Sequence, residues 1–177
     1  MSLDSSILIS HLSGDLHQEA VLAAMERLEA LGTELTLPLL CYAEVWTGVE
    51  LLDDDEQQQQ SSDVIHQLLQ ASHIQLVADN VEIAREAARA QADYRCRGGR
   101  REALIPDFVI GASATYYSGR LLTTNPRDFF RAFLPLRYLR HRCLLSVIVH
   151  QITIRKTDRC NVMKAWGRVP EVYGKSF

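Results

Sequence analysis

An α/β sandwich built on a parallel sheet is the fold class this sequence predicts, and three observations carry the prediction. Short apolar runs at 35–37, 74–77 and 121–124 are separated by longer stretches in which apolar residues recur at helical spacing. Strands that alternate with helices in this way pair in parallel, because each connection has to cross back over the sheet. The 177 residues, 47% of them hydrophobic, supply one sizeable core, which favours one compact domain over two.

In chain order, Leu3 and the apolar run Ile7 to Ile9 read as the end of a strand running into a helix. Ala20, Val21, Ala24, Leu28 and Leu31 then mark a helix from Gln18 to Leu31, stopped by Gly32. Leu35-Thr36-Leu37 reads as a strand ended by Pro38, and Leu39 through Leu52 as a helix. The polar run from Asp53 to Ser62 is expected as a solvated loop or frayed helix end, before a helix from Asp63 to Ala71. A strand at Ile74 to Val77 follows, then a long Ala-rich helix to about Tyr94, capped by Asp79 or Asn80. Gly98-Gly99 breaks that helix. Pro106-Asp107 opens the next, from Phe108 to Tyr117, since proline in a first turn lacks only an N–H that has no helical partner. Gly119 closes it, Leu121 to Thr124 is a strand, and a helical turn at Arg127 to Phe130 and an edge strand near Leu136 to Leu139 complete the regular part.

The net charge of −3 conceals an asymmetry: residues 1–139 carry a net −9 with no lysine, whereas residues 140–177 carry a net +6. The second segment is expected to be a basic extension of unknown structure, either a polyanion- or partner-binding arm or an appendage without selected function. Its apolar run Cys143 to Val149 is a candidate added strand or docking segment. No run approaches the roughly 18 apolar residues needed to span a bilayer, and Met1-Ser2-Leu3-Asp4 lacks a basic region followed by an apolar one. A soluble cytoplasmic protein is therefore expected, without membrane association. The cysteines at 41, 96, 143 and 160 have neither CxxC spacing nor histidine partners at ligand intervals, and read as reduced packing thiols. The histidines have no spacing that builds a triad, and no serine sits in a nucleophile elbow.

Acids carry the chemistry. Ligands of open parallel sheets bind at the carboxyl ends of the strands. Asp4 at a strand-to-helix junction, Asp107 at a helix start and Asp128 just beyond the strand 121–124 all fall there. Glu44 lies between Ala43 and Val45 on a helix apolar enough to bury it, and a buried carboxylate needs a partner such as a cation. Each has a plainer reading taken singly: a cap for Asp4, a favourable helix-dipole position for Asp107 and a surface acid for Asp128. Together, hard oxygen ligands without a histidine or thiolate cluster point to Mg²⁺ or Mn²⁺.

Four segments resemble the PIN-domain family, and in particular VapC-type toxins: Asp4-Ser5-Ser6-Ile7-Leu8-Ile9, Tyr42-Ala43-Glu44-Val45, the stretch from Ile105 to Ala114, and the stretch from Gly119 to Phe129. The likeness runs from about residue 3 to 139, and its last two segments are the most specific. It implies a three-layer α/β/α sandwich over residues 1–139, a Mg²⁺- or Mn²⁺-dependent endoribonuclease, a small antitoxin as partner and a homodimer. It places the metal-binding and catalytic acids on Asp4, Glu44, Asp107 and Asp128, with Ser5, Thr123 and Asn125 in support. Arg95, Arg97, Arg100 and Arg101, around Gly98-Gly99, are the candidate grip on RNA phosphates. Family members carry several apolar residues before the first Asp, where this sequence has Met1, Ser2 and Leu3, so a shortened central strand is expected. The other readings are an RNA-processing nuclease outside a toxin–antitoxin system and a non-catalytic binding module of the same fold. Phosphatase chemistry with Asp4 as nucleophile is disfavoured by Ser6, which stands where that chemistry expects a second Asp.

Overall fold

Five strands and six helices form among the described residues, which in this computed structural model are 1–99, 105–126, 129 and 150–153. They are β1 (Ser2–Leu3), α1 (Ser5–Ser13), α2 (Gln18–Ala30), β2 (Thr36–Pro38), α3 (Leu39–Glu50), α4 (Asp55–Ala71), β3 (Gln75–Val77), α5 (Val81–Cys96), α6 (Ile105–Tyr117), β4 (Arg120–Thr123) and β5 (His150–Thr153). Local chemistry explains the boundaries. Asn80 is the cap of α5, its side-chain oxygen accepting the N–H groups of Glu82 and Ile83. At the far end of α6, Gly119 adopts φ 66° and donates its N–H to Ala114 O at 2.8 Å, the left-handed closure that turns the chain into β4.

Two segments depart from expectation. Ile7 to Ile9 is helical within α1, not the end of a strand. Branching at Cβ costs little in a helix, and the helical turn buries Ile7 and Leu8 while leaving Ile9 exposed. The polar run before residue 63 is also helix: α4 begins at Asp55, capped by Asp54, whose carboxylate accepts the Glu56 N–H at 2.9 Å. Asp55 and Glu56 in the first turn suit the positive end of the helix dipole. Side-chain bonds from Gln59 to Asp63 and from Gln60 to Glu56 span successive turns.

The sheet runs in the order β3-β2-β1-β4-β5, with the first four strands parallel and β5 antiparallel to β4. From β1 to β3 the chain moves outward in one direction; from β3 to β4 it returns past β2 and β1. Right-handed crossovers then put the helices of these two halves on opposite faces. Accordingly α6 lies along β1, β2 and β4 and packs on α5, whereas α1 packs against α2 and α3. The result is the three-layer α/β/α sandwich the sequence predicts. Leu3, Leu37 and Leu121 from the sheet and Ile7, Leu8, Ile83 and Ile110 from the helices form the centre of the core.

The central strand is short, as expected, and is held from both sides. Thr36 N donates to Met1 O at 2.9 Å, and Asp4 N to Leu122 O at 3.0 Å. The fully buried Ser2 hydroxyl joins Thr36 Oγ1 at 2.9 Å and Ser118 Oγ at 3.0 Å, so its burial leaves no polar atom unpaired. Strand β5 comes from the segment following residue 139. The expected edge strand at 136–139 and the run 143–149 lie outside the described residues. Of the turn expected at 127–130, Phe129 is described, and it is helical and buried. Among the described residues no helix is long and apolar enough to cross a membrane.

Candidate metal centre

Strand order reverses between β1 and β4, and in parallel sheets that reversal opens a crevice at the carboxyl ends of the two strands. Asp4 stands there. Ser2 pairs with Leu121 and Leu3 with Leu122, so the next residue of each strand, Asp4 and Thr123, are brought side by side. Asp4 occupies the N-cap position of α1 in an extended conformation, yet its side chain makes no capping bond. Instead Oδ2 accepts the Thr123 hydroxyl at 2.6 Å and the Ser6 hydroxyl at 2.7 Å. Ser6 Oγ in turn accepts the Thr124 N–H, and Thr123 Oγ1 the Asn125 N–H. The carboxylate is 5% exposed and Thr123 is fully buried. Burial pushes the Asp4 carboxyl above its ordinary range, against the opposing pull of the bonds from Thr123 and Ser6.

Helix α3 supplies the second wall. One oxygen of Asp4, one of Glu44 and the sulfur of Cys41 lie within 4.8 Å of one another, a spacing that can hold a metal ion. Glu44 is only half-buried, which corrects the expectation that its helix would bury it. The buried stripe of α3 is Cys41, Val45 and Val49, and Glu44 lies at its edge, facing the crevice. Cys41 is fully buried, and burial followed by the charges of Asp4 and Glu44 pushes its thiol well up. Sequence reasoning took Cys41 for a packing thiol. Its spacing of three from Glu44, which sets both on one helix face, was the available signal. Ser6 was likewise passed over, while its neighbour Ser5, the expected support, is buried and acts on the Asp4 carboxyl in the same direction as Thr123 and Ser6.

The remaining predicted residues divide as follows. Asp107 stands half-buried in the first turn of α6 and is not part of the Asp4–Cys41–Glu44 group. Thr123 and the Asn125 backbone belong to the hydrogen-bonded corner around Asp4, and the Asn125 side chain is exposed. Arg95 and Arg97 are exposed at the end of α5, where Arg97 Nε donates to Asp93 O. Asp128, Arg100 and Arg101 lie outside the described residues.

The donor set fits a divalent cation. Asp4 is a buried carboxylate, and the ion pair found among the described residues joins Arg89 to Glu86 within α5, so no described cationic side chain pairs with Asp4. Such a burial is costly unless a counter-charge is supplied, and two carboxylates converging on one crevice supply the oxygens that Mg²⁺ or Mn²⁺ prefers.

The family model of the PIN domain matches residues 1–133. No curated protein is significantly similar to the chain in sequence. Among solved structures, VapBC2 from Rickettsia felis bound to a promoter DNA fragment is similar with a TM-score of 0.60 and 19% identity, over 74% of this chain and 91% of the other. FitAcB from Neisseria gonorrhoeae gives 0.56 and 24% over 74% and 91%. A toxin–antitoxin complex from Klebsiella pneumoniae gives 0.51 and 22% over 76% and 92%. At these identities the likeness is one of fold.

Proposed function

Because the chain belongs to the PIN-domain family, we propose that it is a metal-dependent endoribonuclease and the toxin of a toxin–antitoxin pair. The observation that carries this reading is the buried Asp4 carboxylate, fixed at the strand-order reversal with the Glu44 carboxylate close by. Asp4 and Asp107 would hold Mg²⁺ or Mn²⁺, with Glu44 and Asp128 completing the centre. A bound ion of this kind lowers the pKa of a water and neutralises charge on a phosphodiester.

The chain's own groups do the rest. Thr123 and Ser6 occupy Oδ2 of Asp4 and so set which way its other oxygen faces. Thr124 and Asn125 N–H groups hold those two hydroxyls in turn, which keeps the carboxylate from rotating toward the α1 cap. Glu44 reaches the crevice from a half-exposed position, open to a water and a strand of RNA. In-line attack would leave 5′-phosphate and 3′-hydroxyl ends. Residues 1–139 are net negative, so phosphate contacts require local positive charge. Arg95, Arg97, Arg100 and Arg101 supply it.

The likeness of fold to VapBC2, FitAcB and the Klebsiella complex supports the toxin reading and an antitoxin as partner; a homodimer and a cytoplasmic setting belong to the same proposal. Residues 1–139 form the nuclease unit and 140–177 a basic extension whose residues 150–153 pair with β4. The deciding experiment is RNA cleavage in Mg²⁺ or Mn²⁺ by the parent chain and by Asp107→Asn. Cleavage by the parent and its loss in the variant are expected. Equal rates would overturn the assignment.

A further inference from the structure

We propose that Cys41 is a sulfur ligand of the metal centre, so that Asp4, Cys41 and Glu44 together take a soft divalent ion of the zinc and cadmium class. The inference rests on the metal-centre reading of this crevice and adds to it a donor that Mg²⁺ chemistry does not use.

Three observations lead there. The Cys41 sulfur and one oxygen each from Asp4 and Glu44 lie within 4.8 Å of one another. A tetrahedral ion bound about 2.3 Å from sulfur and about 2.0–2.2 Å from oxygen keeps its ligand atoms roughly 3.3–3.6 Å apart, so the set closes with a movement of about 1 Å. The scaffold is also asymmetric in a useful way. Asp4 is fixed by two hydroxyls and Cys41 is fully buried on α3, whereas Glu44, half-exposed, is the side chain with room to close on an ion. Finally, Asp4 is 5% exposed and, among the described residues, no cationic side chain pairs with it, so a bound cation would supply a counter-charge that those residues do not.

Ligand softness decides which ion gains. Carboxylate oxygens serve Mg²⁺ and Mn²⁺, while a thiolate adds affinity selectively for Zn²⁺ or Cd²⁺. On binding, the ion takes the place of the thiol proton, which leaves to solvent, so the sulfur–hydrogen bond is exchanged for a sulfur–metal bond with no change of oxidation state. A soft ion seated in this way occupies the oxygens that the nuclease reading assigns to Mg²⁺, and the two compete.

The experiment is a Cd²⁺ titration of the full chain in a thiol-free reductant, following the ultraviolet thiolate-to-cadmium charge-transfer band. A variant with Cys96, Cys143 and Cys160 all changed to Ser keeps Cys41 as its single thiol, leaves α3 untouched and should retain the band at one ion per chain. Cys41→Ser should lose it and bind Cd²⁺ at least about tenfold more weakly, the order of loss seen when a metal site's support is removed. Absence of the band in the triple variant overturns the proposal even if Cys41→Ser fails to fold, as does a band that persists in a folded Cys41→Ser. RNA cleavage in Mg²⁺ is scored separately. Cleavage without the band removes the sulfur ligand alone, and the band without cleavage removes the nuclease reading and leaves the sulfur site standing.

Discussion

Asp4 and Glu44 meet at one crevice from two different scaffolds. Asp4 leaves the end of a central strand, is bonded through its backbone to Leu122 and through its carboxylate to Thr123 and Ser6, and is almost wholly buried. Glu44 projects from the second turn of α3 at the edge of that helix's buried stripe and is half-exposed. The sheet therefore fixes one carboxylate in advance by register, while the helix offers another that adjusts. A centre built in this way has its specificity concentrated in the strand-end corner, and substitutions on the two sides should not cost the same.

The largest effect is expected from Asp4→Asn. Losing several kcal/mol of charge stabilisation at the phosphate corresponds to a drop of about 10²–10³-fold in single-turnover RNA cleavage. Glu44→Gln should fall less far, and a loss equal to that of Asp4→Asn would erase the distinction between the two sides. Next comes the support of Asp4. Thr123→Val removes the hydroxyl donor at nearly constant volume and should lower metal affinity or cleavage by about 10–100-fold with the fold intact by circular dichroism.

A smaller effect lies in the pH dependence of the metal-free protein. Burial raises the folded-state pKa of Asp4 above its ordinary value of 3.8, so the folded chain binds that proton more tightly than the unfolded one. Its contribution to stability is then fully present below 3.8 and is lost as pH rises through the raised folded value. Denaturant unfolding in a chelator should show that loss in the parent and a flatter profile in Asp4→Asn. A parent profile as flat as the variant's would mean that Asp4 carries no strained charge. The smallest change is expected outside the crevice. Replacing Arg95 and Arg97 with Ala should weaken RNA binding and shallow its salt dependence without altering the metal affinity, and an unchanged salt slope would dismiss this grip on the backbone.

Much of this was legible in the sequence for local reasons. The strand runs at 35–37 and 74–77, the caps and stops at Asn80 and Gly119, and the proline-led start of α6 all follow from periodicity and turn chemistry that a few neighbours determine. Alternating strands and helices gave the parallel sheet, and the rule that such sheets bind at their carboxyl ends pointed to Asp4 together with Asp107 and Asp128, of which the Asp4–Cys41–Glu44 group contains the first. The two misread segments show where local signals mislead. In Ile7 to Ile9 the branched side chains matched a strand, but packing of α1 decided. In 53–62 polarity suggested a loop, but a cap and an acidic first turn suffice for a helix.

What the sequence determined by itself was therefore the class of fold, the family resemblance and a set of candidate acids. Only the tertiary structure decided which groups share the crevice. Thr123 and Ser6 reach the same oxygen of Asp4 although Thr123 is 119 residues away, because register between β1 and β4 sets them there. Glu44 remains half-exposed and Cys41 turns its sulfur toward two carboxylates, because the rotation of α3 on the sheet, and not its composition, chooses which residues face inward. Periodicity fixes a helix's apolar stripe, but long-range packing fixes what lies opposite its edge.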